Sequence, residues 1–173
     1  PAWSCFSSAL PEELADAPQE RFVFFGIRAV AEPGAPTGCL SHYARILPDA
    51  LLAARGWNVP DDGLFGAPPL DVVVGERVHS TLSKSLGLVG LGRSRVHVVP
   101  ADDQGRMRAE LLPDLPGPGL VCAQAGEVNT GAFDPFEPIA DWVVQRAGWL
   151  HVDGAFGLWA AADPARAELV RGL

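Results

Sequence analysis

Basic residues are scarce in this sequence of 173 residues. It has 13 Lys and Arg against 21 Asp and Glu, a formal net charge of -8, and Lys84 is its one lysine. A protein that binds nucleic acid needs a basic face, and a helix that lies on a membrane surface needs basic residues along its polar side. The charge balance therefore predicts neither a nucleic-acid partner nor a membrane-surface helix.

Cysteine is also scarce, and no apolar run approaches the length of a membrane span. The three cysteines, Cys5, Cys39 and Cys122, are odd in number, and their spacing matches no zinc site. We therefore expect free thiols in a reducing, cytoplasmic compartment, with no metal and no membrane segment. Apolar residues make up 48% of the chain, which is enough for one domain with a core.

The first part of the chain gives few structural signals. Residues 1–40 contain an apolar segment at 21–30 that fits either a strand or a buried helix. A helical pattern follows at 42–55, and Gly56 is its predicted end. We divide the chain into a poorly readable N-terminal segment, residues 1–40, and a folded part, residues 41–173.

From residue 71 onward, apolar runs alternate with helical patterns. Buried strands are predicted at 71–74, 96–99, 120–123 and 149–152. Apolar spacing predicts helices at 79–91, 106–112, 135–147 and 165–170. Asp134 and Asp163, each followed by a proline, are the predicted N-caps of the last two helices. This alternation predicts an α/β fold with a mostly parallel sheet and flanking helices.

Three of these strands are followed by residues that carry chemistry. In a parallel sheet, residues 76–79, 124–130 and 153–155 would converge at the carboxyl edge, where ligands bind. Asp153 is the most unusual of them, because an ionisable group at the end of a buried strand needs a partner. His79 adds an aromatic ring at the start of a helix.

The residue types at this edge fit a flat ligand. Gly126, Gly131, Gly154 and Gly157 would let such a ligand approach the backbone closely. A carboxylate and an imidazole suit a planar, protonated nitrogen heterocycle. Pyridoxal phosphate is a cofactor whose chemistry requires a protonated pyridine, so we predict it as the cofactor.

Three stretches resemble the group II pyridoxal-phosphate-dependent decarboxylases, the relatives of aromatic-amino-acid and glutamate decarboxylases. They are VGERVHS at 74–80, AGEVNTGAFDP at 125–135 and HVDGAFG at 151–157. The resemblance extends over about residues 44–173. It implies that residues 41–173 are part of the large domain of a fold-type I enzyme that decarboxylates an amino acid, a small-molecule substrate, as a homodimer.

The resemblance also implies roles for individual residues. His79 would stack on the cofactor, Asp153 would pair with its ring nitrogen, and Ala155 would contact the other face of the ring. Related enzymes often have a threonine where this chain has Val128, so Thr130 or the neighbouring asparagine is the candidate for that contact. No metal ligand is implied.

Two features of the family have no counterpart in the sequence. Residues 30–43 contain no clear Ser/Gly-rich phosphate-binding segment. The Schiff-base lysine of the family follows an H-K pair some tens of residues after H-V-D-x-A and would lie beyond Leu173. Lys84, on a helix face, is expected to be solvated. We therefore expect a fragment that is inactive alone, with its catalytic residue unknown.

Several alternatives remain open at this point. They are another fold-type I enzyme, such as an aminotransferase or a cysteine desulfurase, and a truncated or degenerate α/β domain without catalysis. A nucleotide-binding doubly wound domain ranks last, because no glycine fingerprint follows the first strand. We also expect Asp102 and Asp103 to form a turn rather than a metal pair, and His151 to be a packing residue that faces away from Asp153.

Overall fold

A parallel sheet organises the part of the protein that the structure describes. The computed structural model describes residues 23–25 and 51–173. The strands are β1 (Val23–Phe25), β2 (Asp71–Gly75), β3 (His97–Val99), β4 (Gly119–Gln124) and β5 (Trp149–Asp153). Their order is β1-β5-β4-β2-β3, and every neighbouring pair is parallel. The four strands predicted after residue 70 are confirmed to within one residue at each end.

The early part of the chain is described only in small pieces. The apolar segment at 21–30 contributes β1, which pairs with β5. Most of residues 1–40 and most of the helix predicted at 42–55 lie outside the described residues. Residues 51–53 are helical, and Gly56 ends that helix with φ of 78° and an N–H that donates to the Ala53 carbonyl at 2.9 Å.

The helices are shorter than the apolar patterns predict. The α-helices that begin after Gly56 are α1 (Val59–Asp62), α2 (Ser80–Leu88) and α3 (Phe136–Gln145). Short 3-10 helices occupy Arg93–Arg95, Ala109–Leu111, Leu158–Ala162 and Ala167–Val170. No helix among the described residues is long and apolar enough to cross a membrane.

The core lies on both faces of the sheet. Alternate residues of a strand point to opposite faces, so Val73, Val121 and Val152 belong to one apolar cluster, and Val72 and Cys122 to the other. Helix α3 covers the first face through buried side chains. These are Phe136, Ile139, Ala140 and Val143. Each large side chain buried in this way contributes roughly 1.5–3 kcal/mol.

The helix predicted at 106–112 is wrong over most of its length. Ala101 and Met107 form an antiparallel bridge, and the Asp102 carboxylate accepts the backbone N–H groups of Gln104 and Arg106, both at 2.9 Å. The turn predicted at Asp102 is confirmed. Met107 is therefore held in a bridge where the apolar spacing predicts a helix, and only a 3-10 helix at 109–111 remains.

The two predicted N-caps have different outcomes. Asp134 does not cap α3: Pro135 occupies the cap position, and the Asp134 carboxylate accepts backbone N–H groups from Met107 and Gln124, both at 2.7 Å. Asp163 does accept the N–H of Ala165 at 3.0 Å. A turn and a 3-10 helix follow it, however, rather than the predicted α-helix.

Candidate functional site

Three adjacent strands end together at the carboxyl edge of the sheet. Strand β4 lies between β2 and β5, and Gln124, its last residue, is the register partner of Asp153. On the other side, Val74 of β2 pairs with Cys122 of β4. The loop that leads to His79 and the loop that follows Asp153 therefore begin at the same edge, separated by one strand.

His79 lies at the N-cap of α2 with an exposed ring. Its Nδ1 accepts the backbone N–H of Thr81 at 3.4 Å and lies 2.8 Å from the Thr81 hydroxyl oxygen. An Nδ1 that accepts a hydrogen bond places the proton of the neutral imidazole on Nε2. The cap thus fixes the orientation of the ring and leaves its face accessible.

The loop between β2 and His79 is fastened on two sides. Towards β3, the Glu76 N–H donates to the Val99 carbonyl at 2.8 Å, and the Glu76 carboxylate accepts the Ala101 N–H at 3.1 Å. Towards β4, the Gln124 side-chain amide donates to the Arg77 carbonyl at 3.1 Å. The position of His79 is therefore set by both neighbouring strands.

Asp153 ends β5 and is partly exposed. Its Oδ1 accepts the N–H of Ala155 at 3.2 Å, and its carbonyl accepts the N–H of Ala125 at 2.8 Å. The second contact continues the pairing of β4 and β5 past the end of the strands. Ala155 is exposed in the turn that follows, so the carboxylate and the small side chain lie side by side.

Close backbone contacts hold the two loops beyond β4 and β5 together. The Gly157 N–H donates to the Ala125 carbonyl at 2.9 Å, and a Cβ added to Gly157 would lie 2.6 Å from that carbonyl oxygen. Gly126 has φ of 85°, and its Cβ would lie 2.8 Å from the Gly157 nitrogen. These two glycines thus allow the two loops to pack against each other. The sequence predicted a different role for them, the close approach of a ligand to the backbone.

Thr130 is already engaged by the protein. Its hydroxyl donates to the Gln104 carbonyl at 2.8 Å and accepts the Ala132 N–H at 3.2 Å. These contacts join the loop beyond β4 to the turn beyond β3. The predicted contact between Thr130 and the cofactor stays a prediction, and Val128 beside it is exposed.

Glu127 orders this loop, a role that the sequence did not predict. Its carboxylate, in a residue only 6% exposed, accepts the N–H groups of Thr130 and Asn129, both at 2.8 Å, and the Asn129 side-chain amide at 2.7 Å. These hydrogen bonds, that of the Thr130 N–H first, lower the pKa of Glu127 against the opposing effect of burial. Asn129 and Thr130, which follow it, are of residue types common in turns, and they are the sequence signal for such a loop.

His151 packs beneath the site, as predicted, but the prediction that it faces away from Asp153 is wrong. Residues two apart in a strand point to the same face. Burial lowers the pKa of His151, and the charge of Asp153 acts in the opposite direction. Its Nδ1 is buried and has no hydrogen-bond partner among the described residues. Burial of the unpartnered ring therefore favours the neutral form of the imidazole.

The chemistry of these groups fits the pyridine part of pyridoxal phosphate. Asp153 offers an anion, His79 an exposed aromatic face, and Ala155 a small side chain, all at one edge of the sheet. The described residues contain no group of three His, Cys, Asp or Glu side chains placed to hold a metal ion.

Comparison with known proteins identifies the family. The pyridoxal-dependent decarboxylase conserved domain matches residues 64–172, and this chain belongs to that family. Among curated proteins, mouse cysteine sulfinic acid decarboxylase is 41% identical over 120 residues, which cover 62% of this chain and 24% of the mouse protein. Human acidic amino acid decarboxylase GADL1 is 32% identical over 124 residues, 67% of this chain and 24% of that protein.

Solved structures of the family share the fold. Mouse CSAD in its apo form matches with a TM-score of 0.66 and 31% identity, over 77% of this chain and 29% of that one. Oryza sativa TDC with PLP and tryptamine matches with a TM-score of 0.65 and 26% identity, with the same coverage of 77% and 29%. The predicted fold-type I architecture is confirmed. The chain spans about a quarter of the length of the curated relatives it matches.

Proposed function

We propose that the protein containing this chain is a pyridoxal-phosphate-dependent amino-acid decarboxylase, a carboxy-lyase, and that residues 41–173 form part of its cofactor-binding large domain. The observation that carries the proposal is the position of His79 and Asp153. His79 follows β2 and Asp153 ends β5, the two strands that flank β4, and both residues lie at the carboxyl edge. Ligands of open α/β sheets bind at that edge.

Each residue contributes a separate part of the binding site in this proposal. The Asp153 carboxylate pairs with the pyridine nitrogen and holds the proton there, which raises the pKa of that nitrogen by roughly 1–3 units. His79 stacks on one face of the ring, and Ala155 packs against the other. When bound, the cofactor supplies the electron sink for the electrons left behind by carbon dioxide.

Burial of His151 supports this arrangement, because burial disfavours the protonated imidazole. A protonated imidazole on the same face of β5 would compete with the pyridinium for the Asp153 carboxylate. Because burial lowers the pKa of His151, that competition is weakened.

We propose an amino acid with an acidic side chain as the substrate. The supporting observation is the similarity to a cysteine sulfinic acid decarboxylase and to an acidic amino acid decarboxylase. The test is carbon dioxide release by the intact protein, with and without added pyridoxal phosphate, from cysteine sulfinic acid, aspartate, glutamate and tryptophan. Release that depends on the cofactor and favours the acidic substrates is expected. Amino-group transfer without carbon dioxide release would contradict the proposal.

Lys84 has no role in the proposed chemistry. It is exposed on α2, as the sequence predicted. Lys84→Ala is expected to leave cofactor binding and carbon dioxide release by the intact protein unchanged. Loss of the cofactor absorbance in this variant would show that Lys84 holds the cofactor covalently.

We further propose a homodimer in the cytoplasm. The family resemblance supports the dimer, and the buried, free thiol of Cys122 is compatible with a reducing compartment. Light scattering of the intact protein should give twice the mass of one chain, and cell fractionation should recover it with the cytosol. A fully active monomer would contradict the proposed dimer. Recovery of the protein with membranes would contradict the proposed cytoplasmic location.

A further inference from the structure

Gln124 occupies the point between the two predicted cofactor contacts. It is the last residue of β4, the strand that separates β2 from β5, and it is 9% exposed. A buried amide of this kind needs hydrogen-bond partners from the protein. Its side-chain nitrogen donates to the Arg77 carbonyl at 3.1 Å, two residues before His79.

The backbone of Gln124 is tied to the other side of the site. Gln124 and Asp153 are register partners, and the next N–H along the chain, that of Ala125, donates to the Asp153 carbonyl at 2.8 Å. One residue therefore connects to the loop of His79 through its side chain and to Asp153 through its strand.

The main chain of Gln124 is itself held in place by hydrogen bonds. The Gln124 N–H donates to the Asp134 carboxylate at 2.7 Å, and the Asp134 N–H donates to the Gln124 carbonyl at 3.0 Å. With its main chain held at both polar groups, Gln124 has little freedom to follow a movement of Arg77. A change in the side chain is thus transmitted to the loop that carries His79.

We propose that Gln124 is a positioning residue of the cofactor site, whose amide sets the separation between His79 and Asp153. The inference rests on the proposed function, because the separation of His79 and Asp153 affects binding only if both residues contact the same ligand. Gln124 acts through the two residues and does not itself bind the cofactor or the substrate.

Two substitutions of Gln124 remove the N–H donor while keeping the size of the side chain nearly unchanged. Gln124→Met keeps nearly the same length and removes the N–H, which leaves the Arg77 carbonyl without its partner. Gln124→Glu keeps the shape and presents a carboxylate oxygen to that carbonyl, which repels it. Gln145→Met is the matched control, because Gln145 is exposed at the end of α3, next to the opposite edge of the sheet.

The experiment compares cofactor binding and loop protection in these variants of the intact protein. We expect amide exchange at residues 76–81 to accelerate in both Gln124 variants. The dissociation constant for pyridoxal phosphate should rise about 10-fold, the equivalent of one buried hydrogen bond. At saturating cofactor, the visible circular dichroism band should change and kcat should fall more than KM changes. Gln145→Met should match the wild type in all four measurements.

The possible results distinguish a failure of the role proposed for Gln124 from a failure of the proposed function. If the Gln124 variants show faster amide exchange with unchanged cofactor affinity, dichroism and kcat, Gln124 has only a structural role and the inference is wrong. Unchanged exchange at residues 76–81 in both variants would overturn it as well. If the wild type does not bind pyridoxal phosphate, the proposed function itself fails, and the inference falls with it.

Discussion

Asp134 and Gln124 hold each other through two reciprocal hydrogen bonds. The Asp134 carboxylate accepts the Gln124 N–H at 2.7 Å, and the Asp134 N–H donates to the Gln124 carbonyl at 3.0 Å. The other carboxylate oxygen accepts the Met107 N–H, also at 2.7 Å. Burial raises the pKa of Asp134, and these two hydrogen bonds oppose that effect. One side chain thus joins the end of β4 to the turn beyond β3.

Asp134→Asn is expected to destabilise the protein. An amide has one acceptor oxygen, so its NH2 group would face the N–H of either Met107 or Gln124. A buried donor left without an acceptor costs about 1–3 kcal/mol of unfolding free energy. Denaturant unfolding measures the loss. Asp103→Asn is the matched control, because Asp103 is exposed, and it should leave the unfolding midpoint unchanged. Equal midpoints for the two variants would contradict the role given to Asp134.

The pKa of His151 should report the charge of Asp153. Burial lowers this pKa and Asp153 opposes the shift, so Asp153→Asn should lower it further. Nuclear magnetic resonance titration of the imidazole gives both values. The folded-state pKa of His151 lies below the unfolded value of 6.5, so the unfolded state binds more protons than the folded state as the pH falls below 6.5. The unfolding free energy should therefore decrease as the pH falls below that value. A higher His151 pKa in Asp153→Asn would contradict the arrangement.

Glu127→Gln should loosen the loop beyond β4. The carboxylate accepts N–H groups from both Asn129 and Thr130, and an amide cannot accept from all of these donors. Since the folded-state pKa of Glu127 is lowered, the stabilisation is present above its unfolded pKa and is lost as the pH falls through the folded one. Faster amide exchange at Asn129 and Thr130 at neutral pH is the expected result. Glu137→Gln, on exposed α3 surface, is the control, and equal protection in both variants would count against this role.

Two glycine substitutions should change stability in opposite directions. In Gly157→Ala, the new Cβ would lie 2.6 Å from the Ala125 carbonyl oxygen, so the loops must separate at a cost of about 1–3 kcal/mol. In Gly87→Ala, within α2, the nearest atoms are the flexible side chain of Arg93 at 3.4 Å or more. Alanine there should stabilise the helix by about 0.5–1 kcal/mol. Thermal unfolding of both variants is the measurement, and a neutral Gly157→Ala would show that the loops do not pack as described.

The sequence was most informative where structure depends on local composition. Runs such as Val72–Val74 predicted buried strands correctly, because β-branched residues suit a strand covered on both faces. The common edge of His79 and Asp153 followed from the order of parallel strands. The roles of Gln124 and Asp134 could not be predicted, because their partners lie 47 and 27 residues away in the chain. No periodicity reports such long-range hydrogen bonds.

The turnover of Asp153→Asn in the intact protein tests the central claim most directly. Asparagine keeps the size and the hydrogen-bonding ability of the side chain but removes the charge that holds the proton on the pyridine nitrogen. With cofactor occupancy confirmed by absorbance, kcat should fall by at least about 100-fold, equivalent to about 2.7 kcal/mol of transition-state stabilisation. Asp103→Asn should keep the wild-type rate. A fully loaded Asp153→Asn variant that turns over at the wild-type rate would show that Asp153 is only a turn residue.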